Sequence, residues 1–153
     1  MLQIRPAVTE DIPCLEQLEQ AVIEAERPFN RAIKAKNARY YDLPALLNDE
    51  SSYLIVGMVE GNVIATGYAQ IRQSKAQLDH DNHGYLGFMY VHPMHRGKGF
   101  NQQIMTELLA WCNKRSVYDF YLDVYRDNAA AIRAYEKAGF TPCLLEMKLH
   151  QNK

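Results

Sequence analysis

The 153 residues of this chain predict a single α/β domain built on a mixed sheet, and three observations support that prediction. Short runs rich in β-branched and aromatic residues alternate with apolar patterns of helical period. A glycine-rich turn, Arg96-Gly97-Lys98-Gly99-Phe100-Asn101, joins one such run to a helical pattern. A second strand–helix unit follows over residues 118–137.

The elements read in order as follows. Leu2–Arg5 is a short strand, after which Thr9 caps a helix with Glu10 and Asp11 in its first turn and a stripe of Ile12, Leu15, Leu18 and Val22. Pro28 interrupts it, and Phe29–Asn48 reads as one or two short helices. Tyr53–Val59 and Val63–Ile71 are strands joined by a tight Gly61-Asn62 turn. Ser74–Gly84 is a polar loop and Tyr85–Val91 the next strand, where the interior Gly87 predicts a bulge or a close backbone approach. Phe100–Cys112 is a helix with Ile104, Leu108 and Trp111 on one side. Tyr118–Val124 is a strand, Asn128–Lys137 a helix capped by Asn128 and closed by Gly139, and Cys143–Leu149 a last strand. A right-handed crossover is expected between the strands at 85–91 and 118–124.

Composition narrows the function. A hydrophobic fraction of 48% is that of an ordinary globular domain. A formal net charge of −1 argues against bulk binding to nucleic acid. Cys14, Cys112 and Cys143 form no Cys-x-x-Cys pair, which suits a reducing compartment and reads as small core residues rather than a zinc set. No apolar leader and no run of membrane-spanning length is seen, so a cytoplasmic protein without a membrane partner is expected. Asp79–His83 holds metal-ligand residue types, but within a polar connection it reads as solvated loop, and no metal is expected.

The glycine turn carries the most chemical information. Glycines opening a helix let backbone N–H groups converge on an anion at the positive end of the helix dipole. Arg96 and Lys98 add charge there. Lys98 is followed by Gly99 and Phe100, which excludes a P-loop, and Gln102 stands where a dinucleotide fingerprint needs glycine. On this pattern alone, a plain surface turn remains an equal alternative. Asn128 and Tyr135 lie seven residues apart in the sequence, on one face of their short helix.

Together these segments resemble the GCN5-related N-acetyltransferase superfamily. Its phosphate motif, Arg/Gln-x-x-Gly-x-Gly/Ala after a strand ending Val-x-Pro, is similar to Val91-His92-Pro93 followed by Arg96 to Asn101. Its motif Asn-x-x-Ala-x-x-x-Tyr-x-x-x-Gly-Phe is matched by Asn128, Ala131, Tyr135, Gly139 and Phe140. The final position of the first motif is Asn101 rather than Gly or Ala, a departure the surviving backbone N–H should accommodate.

The resemblance implies a central sheet of six to seven strands, splayed between two parallel neighbours and flanked by helices. It implies acetyl-CoA as cofactor, with pyrophosphate on Arg96, Gly97, Lys98, Gly99, Phe100, Asn101 and Gln102. The pantetheine arm would lie along Met89, Tyr90 and Val91, with Asn128 bonding its amides and an N–H near Met89 or Tyr90 holding the oxyanion. Tyr135 would be the acid toward the departing thiolate. Many members carry a Glu where this chain has Gly87. Others that resemble ribosomal-protein N-terminal acetyltransferases place a Glu where this chain has Asp123, so Asp123 is the candidate base. Glu24 and Glu26 are a second choice, because their region usually borders the acceptor site. Phe29, Tyr40 and Tyr41 are candidates to close that site around a small amine or a peptide N-terminus. The expected activity is N-acetyl transfer, with a non-catalytic acyl-CoA-binding module as the alternative. Oligomeric state stays open, homodimers being frequent in the family.

Overall fold

The chain forms β1 (Gln3–Pro6), α1 (Ile12–Glu26), α2 (Leu43–Asn48), β2 (Ser52–Val59), β3 (Asn62–Gln73), β4 (Asn82–Val91), α3 (Phe100–Asn113), β5 (Phe120–Tyr121) and α4 (Ala129–Lys137). These elements are seen in a computed structural model that describes every residue from Met1 to Lys153. Internal contacts divide the chain into two compact units, Met1–Asp123 and Val124–Lys153.

The first unit holds one sheet in the order β1-β2-β3-β4-β5. β1 to β4 run antiparallel to their neighbours, and β5 joins β4 in parallel after α3. The sheet therefore has five strands, not the six to seven expected. Cys143–Leu149 forms no strand, and residues 141–153 carry no regular secondary structure. Alternating apolar residues supply only the propensity for a strand, and the element exists only where a ladder partner completes its hydrogen bonds. The same rule trims the expected strand at 118–124 to Phe120–Tyr121, the two residues that pair with β4. In the other direction, cross-strand pairing of Arg72 with His83 and of Gln73 with Asn82 extends β3 and β4 into the expected loop, leaving residues 74–81 as the connection.

α1 and α2 cover one face, where Leu15, Leu18, Val22, Leu43, Leu54, Val56, Tyr68 and Phe88 make a buried cluster. α3 covers the other and comes so close that a Cβ on Gly67 would meet Ile104 Cγ2 at 2.9 Å and Met89 Sδ at 2.7 Å. Trp111 of α3 stacks on Tyr53 of β2 at 5.3 Å. Cys112 is buried, Cys14 half-buried and Cys143 exposed, so only Cys112 is a full core residue. Burial raises the Cys112 thiol to about 11.

The expected helical stretch at 29–48 is mostly irregular, with α2 confined to Leu43–Asn48 behind the N-cap Asp42. What holds the rest is Glu19, a fully buried carboxylate in the stripe of α1. It accepts hydrogen bonds from the backbone N–H groups of Tyr40 and Tyr41 and from Arg39 Nε. A loop tied by its backbone to a buried charge needs no helix to be ordered. Asp11, not Thr9, organises the start of α1: it accepts from Val8 N at 2.8 Å and pairs with both terminal nitrogens of Arg5.

In the second unit Asn128 caps α4 as its sequence predicts, accepting from Ala131 N at 3.2 Å. Gly139 at φ 108 ends the helix, with its own N–H and that of Phe140 returning to Glu136 O and Tyr135 O.

Candidate active site

β4 changes character halfway along. Tyr68 of β3 pairs with Gly87 and Thr66 with Tyr90, so Gly67 faces both Phe88 and Met89 across a β-bulge. Phe88 carries the distortion at φ 54, a left-handed conformation that bulky residues seldom adopt. The glycine at 87 thus marks a bulge centred one residue later. On its other side β4 pairs with β5 only at Gly84 and Tyr85. From Leu86 to Val91, which includes the predicted Met89, Tyr90 and Val91, it has no strand partner on that side. An edge of backbone donors and acceptors is open there.

That edge leads directly into the glycine turn. Gly97 and Gly99 both have φ 78, and Gly99 is the N-cap of α3. A Cβ at either would meet nothing within 4 Å, so conformation rather than space demands glycine. The backbone N–H groups of Gly97, Lys98, Gly99, Phe100, Asn101 and Gln102 find no acceptor in the protein, the first return bond of the helix being Gln103 N to Gly99 O. Such a row of free donors is suited to a multiply charged anion. Lys98 is exposed above it. Arg96 is braced backward instead, its Nε donating to Val91 O at 2.9 Å and its guanidinium lying 5.3 Å from the Tyr90 ring centre. Its role in the structure is to fasten the turn to β4. His92 accepts from Met94 N, and the ring of His95 stacks against Phe100.

A second group of residues gathers on the α1 face. Tyr41 stacks on Phe88 at 4.4 Å and meets Tyr40 and Tyr68 edge-on at 5.7 and 6.0 Å. Tyr68 in turn lies 6.3 Å from Tyr85. Tyr85 donates its hydroxyl to Asp123 Oδ2 at 2.9 Å and carries the guanidinium of Arg72 over its ring. Burial pushes the Tyr41 phenol well above its ordinary range, with neighbouring phenols and the charge of Glu26 adding to it. Tyr85 is raised by burial and then by Asp123. Burial also raises Glu26, opposed by a hydrogen bond from Tyr40.

The predicted Glu26, Tyr40 and Tyr41 therefore come together, and Asp123 joins them through Tyr85. Glu24 does not: its carboxylate is exposed and pairs with Arg27 at 2.9 Å. Tyr68 and Phe88, which the sequence does not single out, belong to this cluster, and Glu19 ties Tyr40 and Tyr41 beside them. A carboxylate at Glu19, four residues after Leu15 within the apolar stripe, was the available signal. Asp79–His83 is not simply solvated: Ser74 Oγ lies 2.8 Å from His80 Nδ1 and 2.9 Å from His83 Nδ1, and His80 Nε2 reaches the Tyr121 hydroxyl. In the second unit, Asn128 commits its side-chain oxygen to the helix cap and keeps its amide N–H groups as donors. Tyr135 is on α4 two residues before the helix end, its ring edge-on to Phe140 at 6.0 Å.

The family model for the acetyltransferase (GNAT) family matches residues 16–140. The chain belongs to this family. A curated relative, the uncharacterized N-acetyltransferase YobR of Bacillus subtilis (strain 168), is 36% identical over 62 residues, 40% of this chain and 25% of that protein. Among solved structures, a tetramutant of the BH1408 protein from Bacillus halodurans aligns with TM-score 0.85 at 22% identity, over 97% of this chain and 99% of that one. A predicted acetyltransferase with acetyl-CoA from Clostridium acetobutylicum aligns with TM-score 0.76 at 18% identity, over 98% and 96% of the two chains. The chain spans less than half the length of the curated relatives it matches, from 25% to 47%. No helix is long and apolar enough to cross a membrane. The GNAT fold places a five-stranded mixed sheet between helices, and the open edge of β4 runs into the α3 N-terminus within it.

Proposed function

We propose that this GNAT-family chain is an acetyl-CoA-dependent N-acetyltransferase that passes an acetyl group directly to a primary amine, a small metabolite, an amino-acid-like compound or a protein N-terminus. The observation that carries the reading is the row of unpaired N–H groups from Gly97 to Gln102, reached along the unpartnered edge of β4. These donors fit the diphosphate of coenzyme A, with the Lys98 charge beside them. The β4 edge from Met89 to Val91 fits the amide-bearing arm, because it offers the hydrogen bonds a further strand would make. The solved relative with acetyl-CoA supports the same cofactor.

Acetyl-CoA when bound supplies an acyl group activated as its thioester. The chain's own residues then have five tasks. Backbone N–H near Met89 or Tyr90 stabilises charge on the carbonyl oxygen, a contribution on the order of 3 kcal/mol. Glu26 and Asp123 draw a cationic amine to the aromatic wall of Tyr40, Tyr41, Tyr68 and Phe88. Asp123 first removes a proton from the ammonium to free its lone pair and passes it to solvent, then takes the second proton, released as the amine nitrogen bonds to the carbonyl carbon and the C–S bond breaks. Tyr135 donates its phenolic proton to the sulfur and takes one back from solvent. Asn128 donates its amide N–H groups to the arm. The setting we infer is a cytoplasmic one, with residues 1–153 acting as one catalytic domain and a homodimer as the assembly to test.

Free-thiol release from acetyl-CoA against a panel of primary amines tests this directly. Release above buffer hydrolysis with at least one amine is expected. A second reading, a module that binds acyl-CoA without turnover, is favoured by Gly87 standing where many relatives have a carboxylate. Cofactor binding with no thiol release for any amine would establish it.

A further inference from the structure

Tyr68 is a tyrosine whose hydroxyl is aimed at a glycine. Its residue is 6% exposed and its ring packs in the cluster under α1, while its hydroxyl is not a sealed atom left without a partner, so a ligand can reach it. The ring is held from several sides, edge-on to Tyr41 at 6.0 Å and 6.3 Å from Tyr85. Its tip passes over Gly87, where a Cβ would lie 2.4 Å from both Cζ and the hydroxyl oxygen. The glycine thus makes room for the phenol. The hydroxyl consequently stands beside β4 just where the strand leaves β5 and enters its bulge at Phe88.

Charges of both signs act around this point, and on Tyr68 the cation Arg72 acts more strongly than Asp123. Asp123 acts on both Tyr68 and Tyr85, and Glu26 acts on Tyr41. Arg72 is the opposing cation, held over the Tyr85 ring with Nε donated to Gln70 Oε1. A phenol beside Gly87, with Asp123 and Arg72 both acting on it at the mouth of an open strand edge, is suited to accept an N–H hydrogen bond from an amine.

We propose that the Tyr68 hydroxyl is the contact that orients the acceptor amine, and that Gly87 is required because it admits that hydroxyl to β4. This deepens the transferase reading and rests on it. Tyr68 needs no change of protonation for this role, which is to aim the amine lone pair along the β4 edge.

The test uses the full chain, with Tyr68→Phe and Gly87→Ala separately and together. Kinetics are measured with the amine of the panel that gives the highest wild-type kcat/KM, and acetyl-CoA affinity by calorimetry. Tyr68→Phe keeps the ring packing and should lower kcat/KM for the amine by about 10- to 100-fold, with acetyl-CoA Kd and Tm nearly unchanged. Gly87→Ala should act in the same direction by displacing the hydroxyl, and the double variant should lose little more than the worse single one. Wild-type turnover in Tyr68→Phe, or losses that simply add in the double variant, would overturn this assignment and leave the transferase reading intact. Acetyl-CoA binding without turnover on any amine would instead remove the transferase reading and this assignment with it.

Discussion

The Tyr85 hydroxyl donates to Asp123 Oδ2 at 2.9 Å, and this bond crosses from β4 to the segment just after β5 where the two strands stop pairing. The carboxylate is exposed, but a phenol from the buried aromatic wall fixes its direction toward the α1 face. A general base needs that kind of orientation more than it needs burial.

Asp123→Asn should therefore lower turnover by roughly 100-fold while leaving acetyl-CoA affinity within about twofold. Tyr85→Phe should give a smaller loss, since it frees the carboxylate without removing it. Steady-state kinetics with calorimetry checks both, and a fall of under about threefold for Asp123→Asn would assign the base elsewhere.

Tyr135→Phe should reduce kcat with little change in acetyl-CoA Kd, because only the proton donor is lost. Thiol release and calorimetry on the same preparation separate the outcomes. A large loss of affinity with kcat preserved would make Tyr135 a binding residue.

Gly99→Val should weaken coenzyme A binding by more than about tenfold and lower stability by on the order of 1–2 kcal/mol. At φ 78 the N-cap conformation is hostile to a β-branched residue, and any shift there re-aims the free N–H groups. Calorimetry and a thermal melt give the two numbers, and unchanged coenzyme A binding would remove the phosphate role of this turn.

Glu19→Ala should cost about 2–4 kcal/mol and lower Tm by roughly 5–10 °C. Most of that loss comes from the N–H groups of Tyr40 and Tyr41, which lose their acceptor. Arg39 is half exposed and its ion pair adds little. KM for the amine should rise as the aromatic segment loosens, which kinetics at a temperature well below Tm would register.

Glu26→Gln should raise stability above the carboxylate range. Burial raises the folded-state pKa of Glu26 above its ordinary value, so the folded chain holds this proton more tightly than the unfolded chain. The wild type accordingly loses stability as pH climbs through the usual carboxylate range to the raised value, and recovers it on acidification. Thermal melts across pH should show the variant's advantage at neutral pH shrinking as pH falls, while kcat/KM for a cationic amine declines at neutral pH. A Tm difference independent of pH would contradict the assignment of a buried charge.

The features legible in the sequence are those governed by near neighbours in the chain. The Asn128 cap, the Gly139 stop, the left-handed glycines at 97 and 99 and the helix they open follow from local backbone sterics and orphan N–H groups, which depend on a few adjacent residues. The same local grammar made the family motifs readable, and with them the glycine turn that opens α3. Tertiary structure alone decided whether Cys143–Leu149 became a strand, how long α2 would be and where Glu19 would sit, since each depends on partners distant in sequence. It also decided that Tyr68 would lie across Gly87 and that Asp123 would meet Tyr85. The helices and the glycine turn are thus written in short stretches of chain, whereas the aromatic cluster of Tyr40, Tyr41, Tyr68, Tyr85 and Phe88 exists only because a bulged sheet and the buried Glu19 bring residues distant in sequence together.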